Sequence, residues 1–276
     1  MANSRIDEAV IYVDQDMGRG QIHSIAHGVA GVFSVRAPDK DTSNEDSAGL
    51  IPYDDGAAVL VVADGVGGMP AGEQASRLAV EAIRDAVHRA RAQGGELRDA
   101  VMNGIEDANQ AVCAMGIGAA TTLAVVEIQG CTVRTYHVGD SMILVVGQRG
   151  RIKLQTVSHS PVGYGIEAGL LNESEAMHHE ERHLVLNTIG SPDMRIEVGS
   201  TAILAPRDTL LVATDGAFDN LQTEEIVECI RIGSMRKAIG RLASGCRARM
   251  MNPGAGRPSK PDDLTFIAFR CGPLAR

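Results

Sequence analysis

Three apolar runs in the middle of the chain follow one another too closely for any crossover to join them. They cover residues 121–128, 131–138 and 142–146, with Gln129-Gly130 and Gly139-Asp140 at the turns. Parallel neighbours need a connection of about a dozen residues or more, so these runs read as an antiparallel meander, which residues 152–157 continue. Residues 57–63, AAVLVVA, are apolar throughout and read as a fully buried strand. Earlier strands are expected at 10–13 and in a run at 22–35. Later ones are expected at 184–186, 196–204, 210–213 and 264–269.

Helices come in two pairs. The first pair spans about 72–92 and 97–115, separated by Gln93-Gly94-Gly95. Leu78, Ala82, Ile83, Ala86 and Val87 form one apolar stripe; Leu97, Val101, Ile105, Ala108 and Val112 form the other. The second pair spans 223–231 and 234–250, with Met235, Ile239, Leu242, Cys246 and Met250 at helical spacing. Residues 161–182 are polar and partly helical, and a Pro/Gly loop fills 252–261. No repeat or linker interrupts the order of strands, two helices, strands, two helices, strand. That order predicts an α+β fold: two antiparallel β-sheets packed as a sandwich and flanked by helix pairs, as one domain over residues 1–276.

Charge and composition exclude several functions. Against 26 Lys and Arg stand 35 Asp and Glu, a net charge of −9, which is a poor match to nucleic acid. With no Trp, base stacking is not the expected task. No apolar run reaches the ~20 residues of a membrane helix. The N-terminus lacks a basic start followed by an apolar stretch, so a cytoplasmic chain is expected, with no membrane partner. Five cysteines, an odd number without C-x-x-C, predict neither a disulfide framework nor a zinc ribbon. Most read as small core residues of a reduced protein, Cys229 and Cys246 on apolar helix faces.

Acidic residues recur where strands end. Asp64-Gly65 follows the 57–63 run, Gly139-Asp140 follows 133–138, and Asp215-Gly216 follows 210–214. Asp262-Asp263 precedes the last strand, and Asn44-Glu45-Asp46 lies in a polar loop after an early one. Any single Asp-Gly is an ordinary turn. Together, carboxylates at the lips of buried strands are costly to desolvate without partners, and no matching set of Lys or Arg is in view. An all-oxygen donor set suits Mg²⁺ or Mn²⁺. Two such ions can activate a water and neutralise a phosphate ester.

These segments also carry a resemblance. Asn44-Glu45-Asp46-Ser47, Ala63-Asp64-Gly65-Val66-Gly67-Gly68, His137-Val138-Gly139-Asp140-Ser141, Ala213-Thr214-Asp215-Gly216 and Asp262-Asp263-Leu264-Thr265 occur in this order. The chain thereby resembles the metal-dependent protein serine/threonine phosphatases, type 2C (PPM) class, of bacterial type. Ser158-His159-Ser160 and Asn187-Thr188-Ile189-Gly190 are weaker matching blocks. The resemblance implies the sandwich fold already read from the pattern. It implies hydrolysis of phosphoserine and phosphothreonine in proteins by a metal-activated water at a binuclear Mn²⁺/Mg²⁺ centre, without a phosphoenzyme. In signal transduction such an enzyme opposes a Ser/Thr kinase.

Carried over by position, Asp64 would bridge two ions and Gly65 would offer its carbonyl to one. Asp215 and Asp262 would hold the other ion. Glu45 and Asp46 would act directly or through water, Asp140 would serve a third, weaker site, and 161–182 would be a flap. Arg36 is the candidate phosphate-gripping arginine, although residues 37–43 stand as an insertion before Asn44. Val66 stands where many members have His, Met142 where Arg is common, Ser158 for Asp and Ala120 for Gly. A catalytically weak relative that binds phosphoproteins or a signalling partner is the alternative; a hydrolase of small phosphate esters is a third reading. Three other patterns compete less well. His179-Glu180-Glu181-Arg182-His183 matches H-E-x-x-H, the zinc-protease pattern, in a very polar setting. Gly65-Val66-Gly67-Gly68 fails G-x-G-x-x-G at Pro70, and residues 39–50 lack the Gly and Glu of a calcium loop.

Overall fold

The computed structural model describes residues 4–252, 254 and 257–272. The strands before the first helix are β1 (Ser4–Arg5), β2 (Val10–Val13), β3 (Gln21–Ile25), β4 (Gly28–Val35), β5 (Asp46–Pro52) and β6 (Ala57–Asp64). Helices α1 (Gly72–Gln93) and α2 (Leu97–Cys113) follow. Then come β7 (Leu123–Gln129), β8 (Thr132–Val138), β9 (Met142–Val146), β10 (Ile152–Gln155), α3 (Pro161–Glu167) and α4 (Glu173–Ala176). The rest is β11 (Glu197–Val198), β12 (Ala202–Ile203), β13 (Thr209–Ala213), α5 (Asp215–Phe218), α6 (Thr223–Ile230), α7 (Met235–Met251) and β14 (Leu264–Cys271).

Two sheets result. One runs β1-β3-β4-β14-β13-β9-β10, the other β11-β8-β7-β6-β5-β2 with β12 also on β8. Every pairing is antiparallel except β1 with β3. The two-residue period of a strand divides β6 between two cores. Ala58, Leu60 and Val62 face the other sheet, while Val59, Val61 and Ala63 face α1 and α2. On the outer face of the first sheet, α7 seats Met235, Ile239, Leu242, Cys246 and Met250. The layers are therefore helix pair, sheet, sheet, helix pair, as the element order predicts.

The structure corrects four local readings. The run at 22–35 is a hairpin, β3 and β4, turned at Ala26 and His27, whose φ angles of 48° and 55° are those of a primed turn. Residues 47–52 continue from the acidic loop as a central strand, β5, paired on both sides. Residues 184–186 form no strand, and 196–204 contribute only the two short pairings of β11 and β12. The cysteine expectation also fails. Cys131, at the β7–β8 turn, and Cys271, at the end of β14, are disulfide-bonded with a Cα separation of 5.7 Å. Cys246 is buried as expected, but Cys229 is half-buried and Cys113 exposed. Parts of the 252–261 loop, residues 253, 255 and 256, lie outside the described residues.

Candidate metal centre

Antiparallel pairing gathers the acidic motifs at one end of the sandwich. Asp46 opens β5 directly opposite Asp64, which closes β6. Asp140 lies in the turn from β8 to β9. Asp215 follows β13 at the start of α5, and Asp262 and Asp263 precede β14. A cleft of about 220 Å³ is lined by Glu45, Asp64, Gly65, Asp140, Asp215, Lys260, Asp262 and Asp263. Asp46 lies beneath, 1% exposed. All six carboxylates and the Gly65 backbone expected from the sequence are thus brought together.

Hydrogen bonds from uncharged donors hold this end in shape. Thr214 Oγ1 donates to Asp46 Oδ2 at 3.1 Å, and the Asp46 amide donates to Asn44 Oδ1 at 2.9 Å. The Asp64 amide donates to Thr122 Oγ1 at 3.1 Å, and Thr121 Oγ1 donates to the Asp64 carbonyl at 2.7 Å. Two glycines permit close approach. A Cβ on Gly65 would stand 2.4 Å from the Gly72 backbone, and one on Gly216 2.0 Å from the Asp263 carbonyl oxygen.

The charges are unbalanced. Burial, then Asp263 and Asp262, pushes the Asp46 carboxyl well above the usual range; burial and Asp46 do the same to Asp64. Burial and Asp215 raise Asp140 to about 8, Asp262 to about 7 and Asp219 to about 6. Two ammonium groups compensate in part. Lys40 Nζ sits 2.7 Å from Glu45 and 2.6 Å from Asp263. Lys260 Nζ contacts Asp215, Asp219 and Asp262 at 2.5–3.0 Å. Burial works against the charge of Lys260, yet these three carboxylates hold its pKa well above the ordinary value. Asp46 Oδ1 and Asp215 Oδ1 are buried and accept no hydrogen bond among the described residues. Orphaned carboxylate oxygens in an all-oxygen set fit hard divalent cations.

Arg36 is placed elsewhere. Its guanidinium meets Asp16 at 3.2 Å and the Thr42 carbonyl at 3.5 Å. Lys40, from the insertion itself, is the cation beside Glu45. Asp263 fastens that insertion by accepting from the amides of Ala37 and Glu45 at 2.8 and 2.7 Å. Lys40, Asp219 and Lys260 were not singled out from the sequence as site residues, and Asp263 was read only as part of the Asp262-Asp263 pair, with no role of its own. Asp219 carried a signal: it lies one helical turn beyond Asp215. Lys260, two residues before Asp262, carried a weaker one.

Two other candidates fall away. Residues 179–183 are a turn rather than a helix, so H-E-x-x-H cannot present both histidines on one helical face; His183 instead lines the acidic cleft. His137, His159 and Glu197 cluster closely enough to suggest a metal site. However, His159 Nδ1 accepts from the Gly139 amide at 3.1 Å and from Asn187 Nδ2 at 3.0 Å, so its proton sits on Nε2, facing Glu197 at 3.0 Å. His137 Nε2 likewise faces the Val157 carbonyl at 2.8 Å and needs its proton there. Neither Nε2 has a lone pair for an ion; His159 instead braces the turn that carries Asp140.

A helix-flanked double sheet with carboxylates from both sheets at one end defines a metal-dependent hydrolase centre. The comparisons give the family. The profile of Protein phosphatase 2C matches residues 36–252, and the chain belongs to that family. A putative protein phosphatase 2C-type of Streptococcus pyogenes serotype M6 is 30% identical over 199 residues, covering 68% of this chain and 78% of that one. Protein phosphatase PhpP of Streptococcus pneumoniae serotype 2 is 31% identical over 198 residues, covering 69% and 80%. The crystal structure of the Mycobacterium tuberculosis serine/threonine phosphatase PstP/Ppp superposes with a TM-score of 0.71 at 24% identity, over 88% of this chain and 98% of that one. A structure of the PstP catalytic domain holds two manganese ions; its TM-score is 0.66 at 24% identity, over 87% and 96%. The resemblance read from the five motifs is borne out.

Proposed function

We propose that this chain is a Mn²⁺/Mg²⁺-dependent protein serine/threonine phosphatase whose residues 1–276 act as one catalytic domain. The observation that carries the reading is the convergence of Asp64, Asp140, Asp215 and Asp262 in one cleft, with Asp46 buried opposite Asp64 and orphaned oxygens on Asp46 and Asp215. Its substrate is a phosphorylated protein, and it opposes a Ser/Thr kinase in the cytoplasm. Family membership supports the reaction; among the described residues no helix is long and apolar enough to cross a membrane.

Asp64 and the Gly65 carbonyl would hold one ion, and Asp64, Asp215 and Asp262 a second. Glu45 and Asp46 would act from the rim and floor, and Asp140 with Asp219 would take a third. When bound, the ions polarise phosphoryl oxygens and lower the pKa of water. The protein's own work is to keep this arrangement rigid. Thr214 orients Asp46, Thr121 and Thr122 fix the end of β6, and Asp263 ties the 37–45 loop to β14. Arg36 would grip phosphate only after leaving Asp16, an exposed pair worth about 1 kcal/mol or less. The flap, 161–182, forms a wall beside Asp140 and Asp215. No acidic ligand is missing, which weighs against the catalytically weak alternative.

The test is phosphate release from a phosphothreonine peptide with Mn²⁺, with and without chelator, beside Asp64→Asn and Asp215→Asn. Metal-dependent turnover by the wild type and its near-complete loss in folded variants is expected. Full activity in either variant would refute the assignment.

A further inference from the structure

Lys260 stands in the cleft among carboxylates that the proposed function gives to metal. Its Nζ lies 2.5 Å from Asp215 Oδ2 and 3.0 Å from Asp219 Oδ2 and Asp262 Oδ2. The backbone beneath it is clamped. The Lys260 amide donates to Asn220 Oδ1 at 2.9 Å, and Asn220 Nδ2 donates back to the Lys260 carbonyl at 2.8 Å. The same Nδ2 donates to the Gly216 carbonyl at 3.0 Å, and Asn220 is fully buried. One amide thus ties Lys260 to α5, the helix that begins with Asp215. The ammonium itself rides on a flexible four-carbon stem, and the side chain is 24% exposed, so it has a way out to solvent.

A hard divalent ion of the Mg²⁺ type binds carboxylate oxygens at about 2.0–2.1 Å. An ion so bound to Asp215 and Asp262 would stand within a few ångströms of Nζ where it now lies, both positive and both drawing on the same two carboxylate groups. The two occupants exclude each other. Lys40 cannot replace Lys260 in this role, because it meets Glu45 and Asp263 instead.

We propose that Lys260 is a built-in competitor for this ion: its ammonium neutralises Asp215, Asp219 and Asp262 while the ion is absent, and leaves them when the ion binds. The inference rests on the metal-centre reading above. It gives the chain two properties at once. The metal-free protein keeps an internal counter-ion, and the Mn²⁺ concentration needed to fill the position at Asp215 and Asp262 is set higher than the carboxylates alone would set it.

The experiment is Mn²⁺ binding to the EDTA-stripped, dialysed full chain, read from the electron paramagnetic resonance signal of free Mn²⁺, with thermal melts on the same samples. Lys260→Met is expected to bind the ion held by Asp215 and Asp262 at least tenfold more tightly than the wild type, so that its binding isotherm moves to lower free Mn²⁺. Lys260→Arg, which keeps the charge, should stay within threefold. In EDTA, Lys260→Met should melt below the wild type; at saturating Mn²⁺ the order should reverse or the gap close. Lys260→Gln takes its place if the Met variant does not fold. Identical isotherms for wild type and variant would overturn the proposal, and so would weaker binding by the variant. Phosphopeptide turnover by the wild type separates the two levels of failure. Turnover with identical isotherms removes only the role of Lys260, whereas no Mn²⁺ binding and no turnover removes the metal centre with it.

Discussion

Stripped of divalent ions, the protein is expected to lose stability as the pH rises from about 4 towards 8. Asp219 sets the scale, since its side chain is 17% exposed and its pKa is pushed up to about 6 from 3.8 by burial and then by Asp215. A carboxyl with a raised folded-state pKa holds its proton more tightly folded than unfolded. Its contribution is fully present below 3.8 and is lost as the pH climbs through about 6. That shift of about two units corresponds to about 3 kcal/mol, or roughly 6–12 °C in Tm for a chain of this size. Asp262, at about 7, and Asp140, at about 8, extend the loss to higher pH. Their effects do not simply add, because all three share Asp215 as a neighbour. With saturating Mn²⁺ the slope should invert, since protons then compete with the ion for the same oxygens. The assay is a series of melts from pH 5 to 8 in EDTA and in Mn²⁺, repeated with Asp219→Asn, which should flatten the EDTA slope. A Tm in EDTA that rises with pH, or an unchanged slope in Asp219→Asn, would refute the reasoning.

Two further perturbations probe the scaffold. The Cys131–Cys271 bond closes a span of 140 residues, so chain entropy assigns it about 5 kcal/mol; Cys271→Ser or dithiothreitol should lower Tm by roughly 10–20 °C, and a shift under 3 °C would remove it from the account of stability. Gly216→Ala would press a Cβ to 2.0 Å from the Asp263 carbonyl, displacing α5 with Asp215, so Mn²⁺ binding and turnover should both fall. Gly240→Ala, in open space on α7, should instead stabilise by about 0.5–1 kcal/mol; equal effects from the two changes would refute the packing argument.

Legibility in the sequence followed how local each determinant was. The β7–β9 meander, the buried β6 and both helix pairs were readable because periodicity and short gaps fix them within a few residues. The β3–β4 hairpin was not, because Ala26 and His27 carry positive φ without the Asn-Gly or Asp-Gly that usually marks such a turn. Strand β5 was hidden because Ser47-Ala48-Gly49 is neither alternating nor strongly apolar; it becomes a strand by lying between β2 and β6. The carboxylates were readable because each lies at or beside the boundary of an element. Their counter-ions were not, because Lys40 and Lys260 reach their partners across 223 and 45 residues, to Asp263 and Asp215. The disulfide likewise joins two positions that no local pattern relates.

The two sheets are tied together differently at their two ends. At one end, Cys131 of the second sheet is bonded to Cys271 of the first, away from the chemistry. At the other, Thr214 reaches Asp46, and Asp263 reaches the loop before β5. Lys40 adds an ion pair to Asp263 at the same end, and within the second sheet Asp46 and Asp64 are acidic groups placed directly opposite each other across neighbouring strands. Ions held by Asp64 on one side and by Asp215 and Asp262 on the other would join the sheets at that end as the disulfide does at its own. Metal loading would then complete the fold as well as the site. The part of the molecule most sensitive to chelation should be the cleft end, with β5, β6, β13 and β14 loosening at their acidic ends while their disulfide-proximal ends stay paired.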